Sequence, residues 1–212
     1  MLFTEELQPA AKLIESFSVN KYEESAALYS GKLGSQLFSS QISISDSGYD
    51  PENGQFMFFD GEGTVRTQPL NLIENGKFVS LISDLRFGNK FKRPSTGNGQ
   101  RVYNRGVILG PRSLRIGKGQ RPWREIVKGL DKCIIAMICA GGDSNDLGEF
   151  SSPVQVGYLL EKGEVVGRTP ELSLKTSVDS YLNSGLVEVA SDGFTSGSPS
   201  ACVISEMDIL VK

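Results

Sequence analysis

The chain has 212 residues, 22 Lys/Arg against 25 Asp/Glu, a net charge of −3 and 39% hydrophobic residues. A chain of this length hides roughly 70% of its unfolded surface in a core without staples, and the composition excludes a disordered segment. No apolar run approaches the ~20 residues of a membrane span, and Met1-Leu2-Phe3-Thr4-Glu5-Glu6 lacks the basic start of a signal peptide, so a cytoplasmic protein without membrane contact is expected.

Leu7, Ala10, Ala11, Leu13, Ile14 and Phe17 recur at three- and four-residue spacing and predict a helix with one apolar stripe. Thr4 is a candidate cap, Glu5 and Glu6 suit the first turn, and Pro9 places the regular part from about Gln8. Residues 22–33 read as a second helix, ended by Gly31 and Gly34. From residue 36 the pattern turns to period two and short apolar runs. Ile42 and Ile44 alternate, and residues 55–59 are rich in aromatics. Residues 65–74 and 78–85 flank Asn75-Gly76, a hairpin signal because a type I′ turn needs positive φ at both central residues. Lys162-Gly163, between Leu159-Leu160-Glu161 and Glu164-Val165-Val166, repeats that plan. Further strands are expected at 107–109, 133–140, 154–160, 186–190 and 201–211. Short helices are expected at 122–128, with Pro122 near the first turn, and at 178–182, with Ser177 as cap. Helices first and mostly antiparallel strands afterwards define an α+β fold. It is expected as one domain over 1–212, with a helical start over 1–35 and a large, barrel-like β region over 36–212.

The chain contains no histidine. It therefore builds no Ser-His-Asp or Cys-His pair and offers no imidazole to a metal, which leaves carboxylate, Lys, Tyr, Ser and Cys chemistry. Cys133, Cys139 and Cys202 are odd in number and form no C-x-x-C. Two of them lie in the apolar run Cys133-Ile134-Ile135-Ala136-Met137-Ile138-Cys139, so all three read as buried thiols. Pro94-Ser95-Thr96-Gly97-Asn98-Gly99-Gln100-Arg101 is glycine-rich but lacks the Lys-Ser/Thr ending of a phosphate cradle. It reads as a flexible loop or as a loop that touches a ligand or peptide. Between Arg86 and Lys128 stand twelve Lys/Arg and one acid, Glu125, a local charge of +11 that leaves −14 for the rest. Phe87, Phe91, Tyr103 and Trp123 interleave with these cations, as in single-strand platforms, but a pI of 5.2 favours a solvated face or partner contact over nucleic acid. Asp143, Asp146 and Glu149 miss the spacing of a calcium loop and read as polar turns. No metal or cofactor is expected.

Five stretches share a pattern: Phe59-Asp60-Gly61-Glu62-Gly63, Leu72-Ile73-Glu74-Asn75-Gly76, Ser95-Thr96-Gly97-Asn98, Gly157-Tyr158-Leu159-Leu160-Glu161-Lys162-Gly163-Glu164 and Gly197-Ser198-Pro199-Ser200. In this order and spacing the chain resembles the C-terminal domain of the TldD/PmbA family (PmbA is also called TldE). Its members were once described as modulators of DNA gyrase and are understood as peptidase subunits. The resemblance implies an upstream domain, which is expected to be absent because Met1 stands almost where the second domain would begin. TldD-like members carry an H-E-x-x-x-H helix and a later Cys that hold zinc. Carried onto this sequence, the two histidine positions fall at about Ile14 and Val19 and the glutamate at Glu15. The Cys would fall in Ser191-Asp192-Gly193-Phe194-Thr195-Ser196, which has none, and Cys202 lies beyond it. The resemblance thus implies the zinc-free, PmbA-like type, with no catalytic residue and Glu15 as a vestige. It further implies a homo-oligomer, or a hetero-oligomer with a zinc-bearing TldD-like chain, acting on an extended peptide. Ser95, Thr96, Gly97, Asn98, Arg101 and Arg105 are the expected contacts to peptide or partner. The alternative is a stand-alone binding or scaffold domain that kept the fold without peptidase association.

Overall fold

Pro9 sets where the first helix begins. A computed structural model describes residues 2–3, 7–51, 54–195, 198 and 200–211; the proposed Thr4 cap, with Glu5 and Glu6, lies outside them, as do Gly197 and Pro199. After β1 (Leu2–Phe3), Gln8–Ala10 form a 3-10 turn with Pro9 in its first positions, and α1 (Ala11–Phe17) follows, burying Leu13 and Phe17. Ser18 is extended (φ −78°, ψ 120°) and bridges to Ile82, so α2 (Val19–Glu23) is a separate short helix. The helix expected over 22–33 does not form. Ser25 takes φ +56°, Ala26 N–H closes back on the Lys21 carbonyl, and the chain continues in turns. A left-handed residue directly after α2 stops the helical hydrogen-bond ladder.

Nine shorter elements follow: β2 (Ile44–Asp46), β3 (Tyr49–Asp50), β4 (Gln55–Phe56), β5 (Leu70–Glu74), β6 (Lys77–Phe78), α3 (Leu85–Phe91), β7 (Gly99–Val102), β8 (Gly106–Leu109) and β9 (Leu114–Ile116). Strands β6-β5-β2-β9 make one antiparallel sheet, while β3–β4 and β7–β8 are two-stranded ribbons. Asn75 and Gly76 both have positive φ (48° and 80°), as the hairpin signal requires. Residues 78–85 were expected as strand; only Phe78 is, and Asp84 instead caps α3 by accepting from Phe87 N–H at 2.7 Å.

The remainder builds the large sheet: α4 (Trp123–Lys128), β10 (Lys132–Cys139), β11 (Asp143–Ser144), β12 (Glu149–Glu161), β13 (Glu164–Arg168), β14 (Leu172–Ser177), a π-helical turn (Ser180–Ser184), β15 (Leu186–Val189), β16 (Val203–Ser205) and β17 (Asp208–Val211). Its order is β15-β16-β1-β10-β12-β14-β17, with β11 and β13 also on β12. Among the described residues of this sheet only the β1–β10 pair is parallel. The sheet ends at β15 and β17 and does not close into a barrel, so the fold is an open, sheet-rich α+β arrangement. Lys162-Gly163 repeats the positive-φ turn (49° and 83°) between β12 and β13. Ser177 caps the following helical turn, its hydroxyl accepting Ser180 N–H at 3.0 Å. The run 201–211, expected as one strand, splits. β16 pairs with β1 and β15, whereas β17 crosses to β14, the break lying at Glu206, whose N–H binds the Gly185 carbonyl.

The main core joins all layers: Leu13, Phe17 and Val19 from the helices, Ile44, Leu72, Ile73, Phe78 and Ile116 from the smaller sheet, Val178 and Tyr181 from the helical segment after β14, and Val203 from the larger sheet. Phe17 and Tyr22 both meet Phe78 edge-on, at 5.9 and 6.0 Å between centroids. A second cluster sits beneath α4, where Trp123, Ile126 and Val127 cover Cys133, Ile135, Leu160 and Cys202. Asp192 reaches back to accept Trp123 N–H at 2.8 Å, capping α4 from a distant loop.

Candidate functional site

The glycine-rich loop is built into the fold. Thr96 and Ser83 exchange backbone and side-chain hydrogen bonds, and Thr96 Oγ1 donates to Asn98 Oδ1 at 2.8 Å. Asn98 is fully buried; its amide nitrogen donates to Asp46 Oδ2 (2.7 Å) and to the Gly110 carbonyl (3.1 Å). Asp46 is also fully buried. Its carboxylate takes Arg66 Nη2 at 2.6 Å and the backbone N–H groups of Arg112 and Ser113 at 2.7 and 2.8 Å. Asp60 anchors the adjoining turn by accepting from Glu62, Thr64 and Gly99 N–H, each at 2.9 Å. Arg112 closes the knot with donors to the carbonyls of Gly97, Met57, Arg66 and Thr64. Burial, chiefly, and the nearby Arg66 charge lower its pKa. Of the expected contact residues, Gly97 and Asn98 are therefore buried in this knot. Ser95 and Thr96 are half-buried beside it, whereas Arg101 and Arg105 stand exposed on the β7–β8 ribbon.

What the knot holds outward is an aromatic strap, the aromatic-rich stretch 55–59 of the sequence. Phe56, Met57, Phe58, Phe59 and Val65 are each between 46% and 64–66% exposed, and the Phe58 and Phe59 rings meet edge-on at 5.0 Å. The signal was present as four large apolar residues in a row, which breaks the alternation of a half-buried strand. Arg101 reaches the strap's turn, donating to the Gly61 carbonyl at 3.3 Å.

The basic run is paired in part within the molecule. Lys90 meets Glu24 and Arg93 meets Glu23, both at 2.7 Å, while Arg115 pairs with Asp50 and Arg121 with Glu188. Arg86, Lys90 and Arg124 stand over the rings of Phe87, Phe91 and Trp123 at 4.1, 4.8 and 5.0 Å. Four of the twelve cations thus meet a carboxylate in these pairs. Arg101 and Arg105 stand outward on the β7–β8 ribbon, next to the turn that Arg101 touches.

A cavity of about 930 Å³ opens elsewhere, between β11, β12, β14 and residues 206–208, lined among others by Asp143, Asn145, Glu149, Lys175, Glu206 and Asp208. Asn145 organises its rim by accepting Leu147 and Glu149 N–H at 3.0 Å, the polar turn that the sequence predicted. Glu15 does not line this cavity. Its carboxylate binds Lys12 at 3.2 Å, and the same ammonium reaches Asp146 at 2.9 Å on the rim loop. These hydrogen bonds raise the Lys12 pKa and lower that of Asp146. Nearby, burial first and the Asp179 charge second push the Tyr29 phenol up to about 12.

The open sheet, the paired Gly turns and the short α1–α2 start define a sheet-rich α+β domain. The sequence profile of the PmbA/TldA metallopeptidase C-terminal domain matches residues 10–210, and the chain belongs to this family. Among solved structures, TldE from Thermococcus kodakarensis superposes over 100% of this chain and 49% of its own, with a TM-score of 0.84 and 23% identity, which shows a shared fold. A metalloprotease of Synechocystis sp. (slr0863) is 25% identical over 175 residues, and an uncharacterized protein of Methanocaldococcus jannaschii (MJ0231) is 27% identical over 156. The chain spans 37% and 36% of those two relatives.

The residues at the positions to which the resemblance carries the zinc motif do not fit a metal ion. Ile14 and Val19 are apolar, Val19 is fully buried, and the extended Ser18 interrupts the helix between them. Glu15 is engaged by Lys12. Among the described residues no group of three or more Cys, Asp or Glu is arranged to hold a metal.

Proposed function

We propose that this chain is a zinc-free, catalytically silent subunit or domain of a TldD/PmbA-type peptidase, acting in the cytoplasm by binding a zinc-bearing chain and the extended peptide that the zinc-bearing partner cleaves. The observation that carries the reading is the Ile14–Ser18–Val19 segment. A family member whose zinc-ligand positions hold two aliphatic side chains, one of them (Val19) fully buried, with the helix broken between them, supplies neither the metal nor a metal-bound water. Family membership and the metalloprotease relative support the link to peptide cleavage. Peptide capture through a sheet edge needs little side-chain recognition, which agrees with the inward hydrogen bonds of Thr96 and Asn98.

The test compares peptide hydrolysis by the purified chain, by a purified H-E-x-x-x-H family member from the same genome, and by the two together, with and without a chelator. The expected result is no cleavage by this chain alone and faster, chelator-sensitive cleavage by the mixture. Chelator-sensitive cleavage by this chain alone overturns the reading. Among the described residues no helix is long and apolar enough to cross a membrane.

A further inference from the structure

We infer that the strap of Phe56, Met57, Phe58 and Phe59, with Val65 and the neighbouring β7–β8 ribbon, is a docking face for a second, different polypeptide whose own face is apolar and rimmed by carboxylates. The inference rests on the partner reading above and assigns that partner its surface.

The strap is exposed without being loose. Met57 N–H binds the Gly48 carbonyl at 2.9 Å, Arg66 N–H binds the Phe58 carbonyl at 2.8 Å, and Arg112 holds the Met57 carbonyl at 3.0 Å. The buried Asp60 fixes the turn that follows. A backbone held at this many points presents its side chains already ordered, which lowers the entropy cost of association. Three half-exposed phenylalanines, a methionine and a valine offer roughly 400–500 Å² of apolar surface, at 150–250 Å² for a whole aromatic side chain. That equals the largest patch on an ordinary monomer and is about half of the ~800 Å² that one partner contributes to a stable interface. Phe, Met, Tyr and Arg are also the residue types enriched at interface centres.

Charge decides the occupant. Among the described residues, Asp60, Glu62 and Asp50 near the strap are turned inward: Asp60 onto three backbone N–H groups, Glu62 Oε2 onto Leu85 N–H at 2.8 Å, Asp50 onto Arg115. Arg101 and Arg105 of the β7–β8 ribbon stand outward, beside a 90% exposed Tyr103. A two-fold pair formed through this face would set that cationic rim against its own copy, because an isologous interface is self-complementary. Like charges across a rim oppose such pairing, while an acidic rim on a different chain is attracted and steered.

The experiment titrates this chain against the purified H-E-x-x-x-H family member at low and moderate salt, using wild type, Phe58→Ser/Phe59→Ser and Arg101→Glu/Arg105→Glu. Affinity is expected to fall about 100-fold in the Phe variant. The Arg variant is expected to lose about tenfold, mainly in association rate, together with its salt dependence. Light scattering is expected to show wild type alone as a monomer. Hydrogen exchange on the wild-type complex gives a readout that needs no variant to fold, with added protection expected at residues 55–66 and 99–109. Equal binding by wild type and a folded Phe variant, with no such protection, overturns this surface but leaves the partner reading standing. No binding by wild type overturns both. Self-association that the Phe variant abolishes makes a second copy the occupant and overturns the assignment to a different chain.

Discussion

The side-chain amide of Asn98 donates to the buried carboxylate of Asp46 at 2.7 Å, across 52 positions of sequence. Through that bond a loop with the composition of a flexible ligand cradle becomes part of the polar interior. Removing Asp46 leaves Arg66, Asn98 and two backbone N–H groups without their acceptor. Asp46→Ala is expected to cost about 3–5 kcal/mol and Asn98→Ala about 1–3 kcal/mol, whereas exposed Arg105→Ala stays within about 0.5 kcal/mol. Urea denaturation midpoints of the three variants check the order.

Gly76 and Gly31 share a left-handed backbone, with φ of 80° and 76°, but not the same surroundings. A Cβ on Gly76 would stand 2.1 Å from the Phe38 carbonyl oxygen, whereas one on Gly31 meets nothing within 4 Å. Gly31→Ala is expected to cost about 1 kcal/mol, from backbone strain alone. Gly76→Ala is expected to exceed it by at least about 2 kcal/mol, since the β5–β6 turn must move. Thermal melts of both variants give the comparison.

Burial raises the Cys133 thiol above its ordinary range, and the residue lies beneath α4 in the Trp123 cluster. Thiolate is the reactive form, so alkylation of Cys133 at pH 7–8 is expected only as fast as the region opens. Peptide mass spectrometry after timed iodoacetamide exposure, in buffer and in denaturant, reads this directly. Rapid modification in buffer contradicts the packing described here.

Arg121 hydrogen-bonds Glu188 and holds its carboxyl below the ordinary value of 4.5. A depressed carboxyl contributes stability above its unfolded pKa and loses it as pH falls through the folded one. Wild type is therefore expected to melt higher than Glu188→Gln at pH 7, with the two converging as pH drops through and below 4.5. A gap that persists at the acid end would assign the difference to packing instead of charge.

Much of the fold was legible because its signals are local. Asn75-Gly76 and Lys162-Gly163 both adopt the positive φ pair, which Asn and Gly favour and Lys162 takes as part of its turn, and Pro9, Pro122 and Ser177 mark helical starts where the structure has them. The errors arose where a residue's role depends on a distant partner. β12 runs four residues past Pro153 to its start at Glu149, because Pro153 offers its carbonyl to Ala140 N–H. Asp84 made α3 detectable as a cap, but the apolar residues 78–82 before it read as one strand. The site was less legible than the fold. Arg101 and Arg105 are outward, as a contact role requires, whereas Gly97 and Asn98 face the interior.

By itself the sequence determined the turn chemistry, the absence of imidazole and the change from helical to two-residue period, since each follows from residue type and near neighbours. Only the tertiary structure decided that Lys90, Arg93, Arg115 and Arg121 of the basic run pair with Glu24, Glu23, Asp50 and Glu188, and that Phe56 to Phe59 face outward instead of joining the core. Those outcomes depend on which chain segments come within hydrogen-bond or ion-pair distance. That distance is set by the packing of α1, α2 and the two sheets around one core, and spacing along the chain does not encode it.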